Sequence, residues 1–176
     1  LIHIDTVNGA EPGAGASRFD DLEPVAPHRR LPLAGEKLEG DERTLIRALD
    51  RLVPLARGQR VLIEAERGSG RTTTLRALAR ELSSHERLTV MVVLIDERPE
   101  EAPEWREALP DVELAIATAD MRPKEQLRVV EKAVAQAKRS VEAGEDVVVL
   151  IDSLSRLAVA ASDPAAAKPI FTAGRE

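Results

Sequence analysis

A chain of 176 residues, 43% apolar and 32% charged, is one domain's worth and long enough to bury a core, which excludes an intrinsically disordered chain. A net charge of -6 and 2% aromatic residues argue against a broad basic surface or a stacking platform for nucleic acid. Cysteine is absent, so disulfides, thiol chemistry and thiolate metal sites are excluded.

No apolar run reaches the ~18 residues that a membrane span needs, and no signal-peptide pattern is present. The lack of cysteine suits a reducing compartment, and a cytoplasmic location is expected. A start at Leu1, not Met, is expected of a fragment or processed piece. His28-Arg29-Arg30 is a local basic spot that reads more readily as a solvated loop than as a nucleic-acid contact.

Leu1 to Val7 alternates apolar and polar residues, as a short strand or the end of an upstream domain would. Asn8 to Gly40 is rich in breakers, among them Pro12, Gly13, Gly15, Pro24, Pro27 and Pro32. It is expected to be a connector running over a surface, with Phe19, Leu22 and Leu31 as anchors. Residues 1–40 are thus set apart from a folded unit over 41–176. Asp41 to Leu55 is expected to be a helix, with Leu45, Ile46, Leu49, Leu52 and Val53 on one face.

Val61 to Thr74 reads VLIEAERGSGRTTT. A short apolar strand, two glycines and a helix carrying Leu75, Leu78, Ala79 and Leu82 make the layout of a phosphate-binding loop. Glycines let backbone N–H groups crowd a phosphate, and the helix start adds unpaired donors and partial positive charge. The match to GxxxxGK(S/T) is imperfect. Ala65 stands where glycine is required and Arg71 where lysine is. An arginine fork is not a lysine point charge. Arg67, Gly68, Ser69, Gly70, Arg71, Thr72 and Thr73 are the candidate phosphate-contacting residues.

Leu88 to Ile95 is a β-branched apolar run, as a strand covered on both faces would be. It ends in Asp96-Glu97-Arg98-Pro99-Glu100-Glu101. A short helix over Ala102 to Leu109, with Trp105 and Leu109 inward, is expected next. A weaker strand at Val112 to Ala117 and a helix from Pro123 to about Ala143 follow, the helix closed by Gly144. A fourth strand, Val147 to Asp152, ends on a carboxylate. Ser153 to Ala161 starts with a helical pattern that then decays, and Ser162 to Glu176 is expected to be loop or disordered. Alternating strands and helices imply a mostly parallel sheet with helices on both faces.

Three features follow predicted strands and belong on one rim of such a sheet. The glycine loop would hold phosphates. Thr72 and Asp152 would hold Mg²⁺. Glu97 would be a base or water-orienting group, with Arg98 bracing it or meeting a neighbouring subunit. Taken singly, each has a plainer role. Asp152 suits a helix cap, Asp96 and Glu97 suit a surface turn, and Arg98 suits an ordinary ion pair. It is their order along the chain that favours a nucleotide site.

Leu94-Ile95-Asp96-Glu97-Arg98-Pro99-Glu100-Glu101 and Leu150-Ile151-Asp152-Ser153-Leu154-Ser155-Arg156-Leu157-Ala158 resemble the ATPase core of the Rho transcription-termination family. Phe19 to Pro24 with Arg30-Leu31, Arg57 to Arg60, and Val7-Asn8-Gly9 are similar to that family's connector, loop lead-in and RNA-binding-domain edge. The likeness runs to about Ala160. It implies a RecA-like P-loop NTPase core, ATP with Mg²⁺ at subunit interfaces, a hexameric ring, and RNA-dependent ATPase or helicase activity. On it Glu97 is the catalytic carboxylate, Asp152 the acidic strand end, and Thr72 the Mg²⁺ ligand. Arg98 and Arg156 are arginines at or near the site and interface.

Arg71 departs from the family's lysine, and Glu66, Arg67 and Gly68 stand where the family loop carries prolines and a lysine. The later strands, pore loops and the arginine finger contributed by a neighbour fall beyond the likeness. The chain by itself is therefore expected to be a poor motor and to carry an open sheet edge.

Overall fold

A computed structural model describes residues 18–66 and 68–163. The expectations for Leu1 to Val7, for Arg67 and for the tail from 164 onward lie outside the described residues.

The molecule is organised on β3 (Leu88–Glu97), which pairs in parallel with β4 (Glu113–Thr118) on one side and β5 (Asp146–Asp152) on the other. Every residue from Val90 to Ile95 is buried. A strand in the middle of a parallel sheet has no solvent face, so its sequence shows a continuous apolar run instead of alternation.

The period of two appears in what each face touches. Val90, Val92 and Leu94 pack in one cluster, which includes Ile46 of α1 (Gly40–Leu52), Leu75, Leu78 and Leu82 of α2 (Arg71–Leu82), and Trp105 of α3 (Ala102–Ala108). Met91, Val93 and Ile95 pack against Leu127, Val130, Ala133 and Ala137 of α4 (Pro123–Glu142) and Leu157 and Ala160 of α5 (Leu154–Ala161). Helices therefore cover both faces, as the alternation of elements predicts. The α4 end is closed by Gly144 N donating to Val141 O at 2.9 Å and Glu145 N donating to Ser140 O at 3.0 Å.

Three expectations need correction. The strand foreseen at Val61 to Ala65 does not form. Residues 61–66 belong to no ladder, and among the described residues the parallel sheet has three strands, not four. A strand exists only through a neighbour's backbone. The candidate neighbour, β5, lies across a cavity of about 290 Å³ lined by Val61–Ile63, Leu75 and Val148–Asp152. β5 is accordingly an open edge, with Val149, Val61 and Leu62 exposed around it.

Helix α1 also ends earlier than foreseen. Ile46 is buried, but Leu52 and Val53 are exposed because the chain leaves the helix at Leu52, just before Pro54. Finally, Phe19 and Leu22 do not anchor the connector in the core, being 38% and 43% exposed. Phe19 lies instead beneath Lys138 Nζ, 4.9 Å from the ring centroid.

The described part of the connector is fastened by other residues. Leu31, Leu33 and Leu38 are buried beside α1 and α2. β1 (Arg30–Leu31) pairs antiparallel with β2 (Leu55–Ala56). Asp50 Oδ1 accepts from Leu33 N at 3.0 Å, and the buried Glu81 Oε1 accepts from Gly35 N at 2.8 Å.

Trp105 is fully buried, with the Arg76 guanidinium 4.4 Å above its ring. Trp105→Ala is expected to destabilise the fold by about 3–5 kcal/mol, the usual cost of deleting a large buried aromatic. Urea denaturation followed by far-UV circular dichroism checks this, since Trp105 is the only tryptophan.

Candidate functional site

The turn before α2 has the backbone that its glycines permit. Gly68 and Gly70 sit at φ +79° and +86°, where an L side chain is strained. A Cβ at either would meet nothing within 4 Å, so glycine is needed there for backbone sign and leaves open space beside the chain. Gly70 is the N-cap, gives α2 no side-chain cap bond, and accepts Thr74 N at 2.8 Å. The amides before Thr74 have no partner inside the helix, and no acid in the first turn offsets the positive end of the dipole. Ser69 folds back, its Oγ donating to Glu66 O at 2.7 Å. Thr73 is exposed.

Asp152 closes β5 and is 5% exposed. Its register partner on β3 is Leu94, so it points to the α2 face. Thr72 Oγ1 donates to Asp152 Oδ2 at 2.9 Å, and Arg71 Nε lies 3.8 Å from Oδ1. The glycine turn and the end of β5, eighty positions apart in sequence, are thereby joined. Ser153, not Asp152, caps the next helix, its Oγ accepting from Arg156 N at 3.3 Å.

Glu97 reaches the same face by a different device. Ile95 pairs with Ala117 and Glu97 with Thr118, so Asp96 is the extra residue of a β-bulge. Asp96 has φ +57° and is exposed. Plain alternation would put Glu97 with Val93 and Ile95 on the α4 face. The bulge restores it to the side of Leu94 and Asp152, re-aiming one side chain as bulges beside sites do.

Arg156 braces this bend. Its Nη1 donates to Ile95 O at 3.2 Å, Asp96 O at 2.9 Å and Glu97 Oε2 at 3.1 Å. Arg98 is far more exposed and faces Glu101 at 3.8 Å, so the brace on Glu97 comes from α5. Composition and spacing give no sign of that role. The resemblance places Arg156 only near the site or interface. The one local signal is its position three residues after a capping serine. Glu101 carries no such signal either.

Burial pushes the Glu97 carboxyl up to about 7, helped by the hydrogen bond that its protonated form donates to Glu101 and by the charges of Glu101 and Asp152, with Arg156 opposing. A carboxyl of that acidity is matched to proton transfer near neutral pH.

Arg67 lies outside the described residues. The structure brings Gly70, Arg71 and Thr72 to Asp152 and sets Glu97 on the neighbouring strand end. A positive helix start facing two acidic strand ends on one sheet rim defines the class of P-loop nucleotide-binding α/β domains. Within that class, the chain belongs to the ATP synthase alpha/beta family, nucleotide-binding domain, whose model matches residues 46–169.

It is similar to transcription termination factor Rho of Streptosporangium roseum, 39% identical over 158 residues, covering 89% of this chain and 39% of that protein. Rho of Mycobacterium bovis is 37% identical over 160 residues, with 89% and 26% covered. The chain thus spans well under half the length of these relatives, and the resemblance read from the two acidic strand ends holds. Among solved structures, an ATPase from the type III secretion system of pathogenic bacteria matches with TM-score 0.66 and 26% identity, covering 82% of this chain and 39% of that one. The ATP synthase subunit NeqB from Nanoarcheaum equitans matches in fold, with TM-score 0.62, 19% identity, and 80% and 34% covered.

The raised pKa of Glu97 has a signed consequence. An acid that titrates higher when folded favours the fold below its ordinary value of 4.5 and loses that contribution as pH rises to about 7. Glu97→Gln is expected to remove this slope. Its melting temperature should match the wild type near pH 5 and exceed it at pH 8, by about 2–4 °C for each ~1 kcal/mol of relief. Parallel melting curves at both pH values would show that Glu97 titrates normally.

Proposed function

We propose that this chain binds ATP with Mg²⁺ at the turn before α2, and that Glu97 serves hydrolysis of its terminal phosphate. The observation that supports this most is the Thr72–Asp152 hydrogen bond at 2.9 Å, which draws the turn onto the acidic end of β5. Gly68 to Thr73 would receive phosphate oxygens on backbone amides, and the Arg71 guanidinium would add a fixed charge. Arg67, next in the loop, would contribute a further cation. Thr72 Oγ1 and Asp152 would hold Mg²⁺. Two hard oxygen donors on different elements fit an ion that keeps several waters and takes the rest of its ligands from phosphate. Such an ion, when bound, neutralises charge on the phosphates.

Glu97 would take a proton from water attacking the phosphate, with Arg156 fixing the carboxylate's direction. Arg98, exposed at the rim, would face a neighbouring subunit. We further propose that residues 1–40 connect to an upstream unit while 41–176 carry the nucleotide site. A cytoplasmic hexameric ring, with RNA as its ligand in transcription termination, is the setting that the Rho resemblance supports. Among the described residues, no helix is long and apolar enough to cross a membrane.

Calorimetric titration should show saturable binding of ATP and ADP with Mg²⁺ present; absence of both would refute the proposal. Glu97→Gln should keep nucleotide binding and lower any turnover by about 10²–10⁴, the usual worth of a positioned base.

The Arg71–Asp152 approach of 3.8 Å favours a second reading, a nucleotide-holding module without efficient turnover. Arg71→Lys in the full-length protein separates the two. A rise in ATPase rate supports a weakened enzyme, and an unchanged rate supports the module. Filter binding across a salt series tests RNA, and the net charge of -6 leads us to expect none by this chain alone.

A further inference from the structure

Asp152 is nearly inaccessible to water, so its charge must be balanced by groups beside it. One oxygen accepts from Thr72 Oγ1 at 2.9 Å. The other faces Arg71 Nε at 3.8 Å. That Nε is itself buried and has no hydrogen-bond partner among the described residues. The second acid, Glu97, has its own guanidinium in Arg156 at 3.1 Å. Two acids thus meet two permanent cations. Among the described residues, no group of three or more His, Cys, Asp or Glu side chains is placed to hold a metal.

A lysine here would not do the same work. An ammonium on a flexible stem is a compact point charge, free to leave the acid for a phosphate. A guanidinium has Nε and two terminal nitrogens in one plane, so it can face a carboxylate along one edge and a phosphate along another. It also stays charged at every accessible pH.

We propose that Arg71 is a built-in counter-cation for Asp152, bridging it to phosphate as a divalent ion otherwise does. The site then takes nucleoside di- and triphosphates with little dependence on Mg²⁺, which has to share Asp152 with Arg71. The inference rests on the reading of Gly68 to Thr73 as a phosphate site and narrows the part given there to Mg²⁺: holding the nucleotide needs little of it, and an ion shared between Thr72 and Asp152 serves turnover.

The test is the affinity for ADP by calorimetry, in excess Mg²⁺ and in EDTA, for the wild type and Arg71→Lys. Two ligands that assist one another usually do so by about 5–150-fold. The wild-type ratio should stay below about threefold, and that of Arg71→Lys should rise into the coupled range. A wild-type ratio as large as that of the lysine variant overturns the inference and leaves the phosphate site standing. A second arm needs no nucleotide. Mn²⁺ binding to the nucleotide-free protein, followed by electron paramagnetic resonance, should tighten by about tenfold in Arg71→Gln, a coupling of ordinary size. No tightening overturns the inference. If ADP binds in neither buffer the nucleotide reading itself fails, and the Mn²⁺ arm decides the counter-cation alone.

Discussion

β3 and β5 lie in register so that Leu94 stands beside Asp152, and that pairing determines where the charges of the site fall. Because side chains alternate across a sheet, the pairing commits Asp152 to the face that α2 covers. Glu97 would be lost to the opposite face without the extra residue at Asp96. The site is therefore a product of strand register plus one bulge. Bringing the two acids together takes no long loop, only the end of a buried sheet whose core positions are fixed by apolar packing on both sides.

Keeping two carboxylates near each other in a dry rim is costly, because burial disfavours the charged form of each. The molecule answers with a separate guanidinium for each acid. Arg156 also binds two backbone carbonyls of the bulge, so it fixes the left-handed turn at Asp96 and the direction of Glu97 together. Glu101 works against it, and the balance leaves Glu97 near neutrality in its titration. Among the described residues, no acid is hydrogen-bonded to Asp152. Asp152 receives a hydroxyl and faces a guanidinium instead.

The sequence carries the large elements clearly, for identifiable reasons. The run from Leu88 to Ile95 has no polar residue but Thr89 and is β-branched, as a strand buried on both faces would be. The apolar spacing of α4, with proline at its start and glycine beyond its end, marks both termini. What alternation cannot show is a bulge. Asp96-Glu97 reads as a strand simply running out into charge, and nothing in the letters says that the second acid returns to the α2 face. Arg156 is similarly hidden, since its partners, two backbone carbonyls and the Glu97 carboxylate, lie about sixty positions away. The exposed Leu52 and Val53 show the converse limit: periodicity marks a face and does not say how far the helix extends along it.

The missing strand at Val61 to Ala65 is the most instructive failure, because the local pattern there is right and the environment is not. Apolar residues ahead of a glycine turn belong in a sheet, yet a strand cannot be satisfied by its own residues. Its amides and carbonyls need a ladder, and the edge of β5 stands off across the cavity. What spans that gap is the polar contact of Arg71 and Thr72 with Asp152. The turn is thus positioned from α2, through its packing of Leu75, Leu78 and Leu82 on the sheet, and less by the strand that precedes it. A ligand gripping both the turn and Asp152 binds the folded arrangement and not the unfolded chain. It would therefore stabilise the rim where backbone pairing is thinnest.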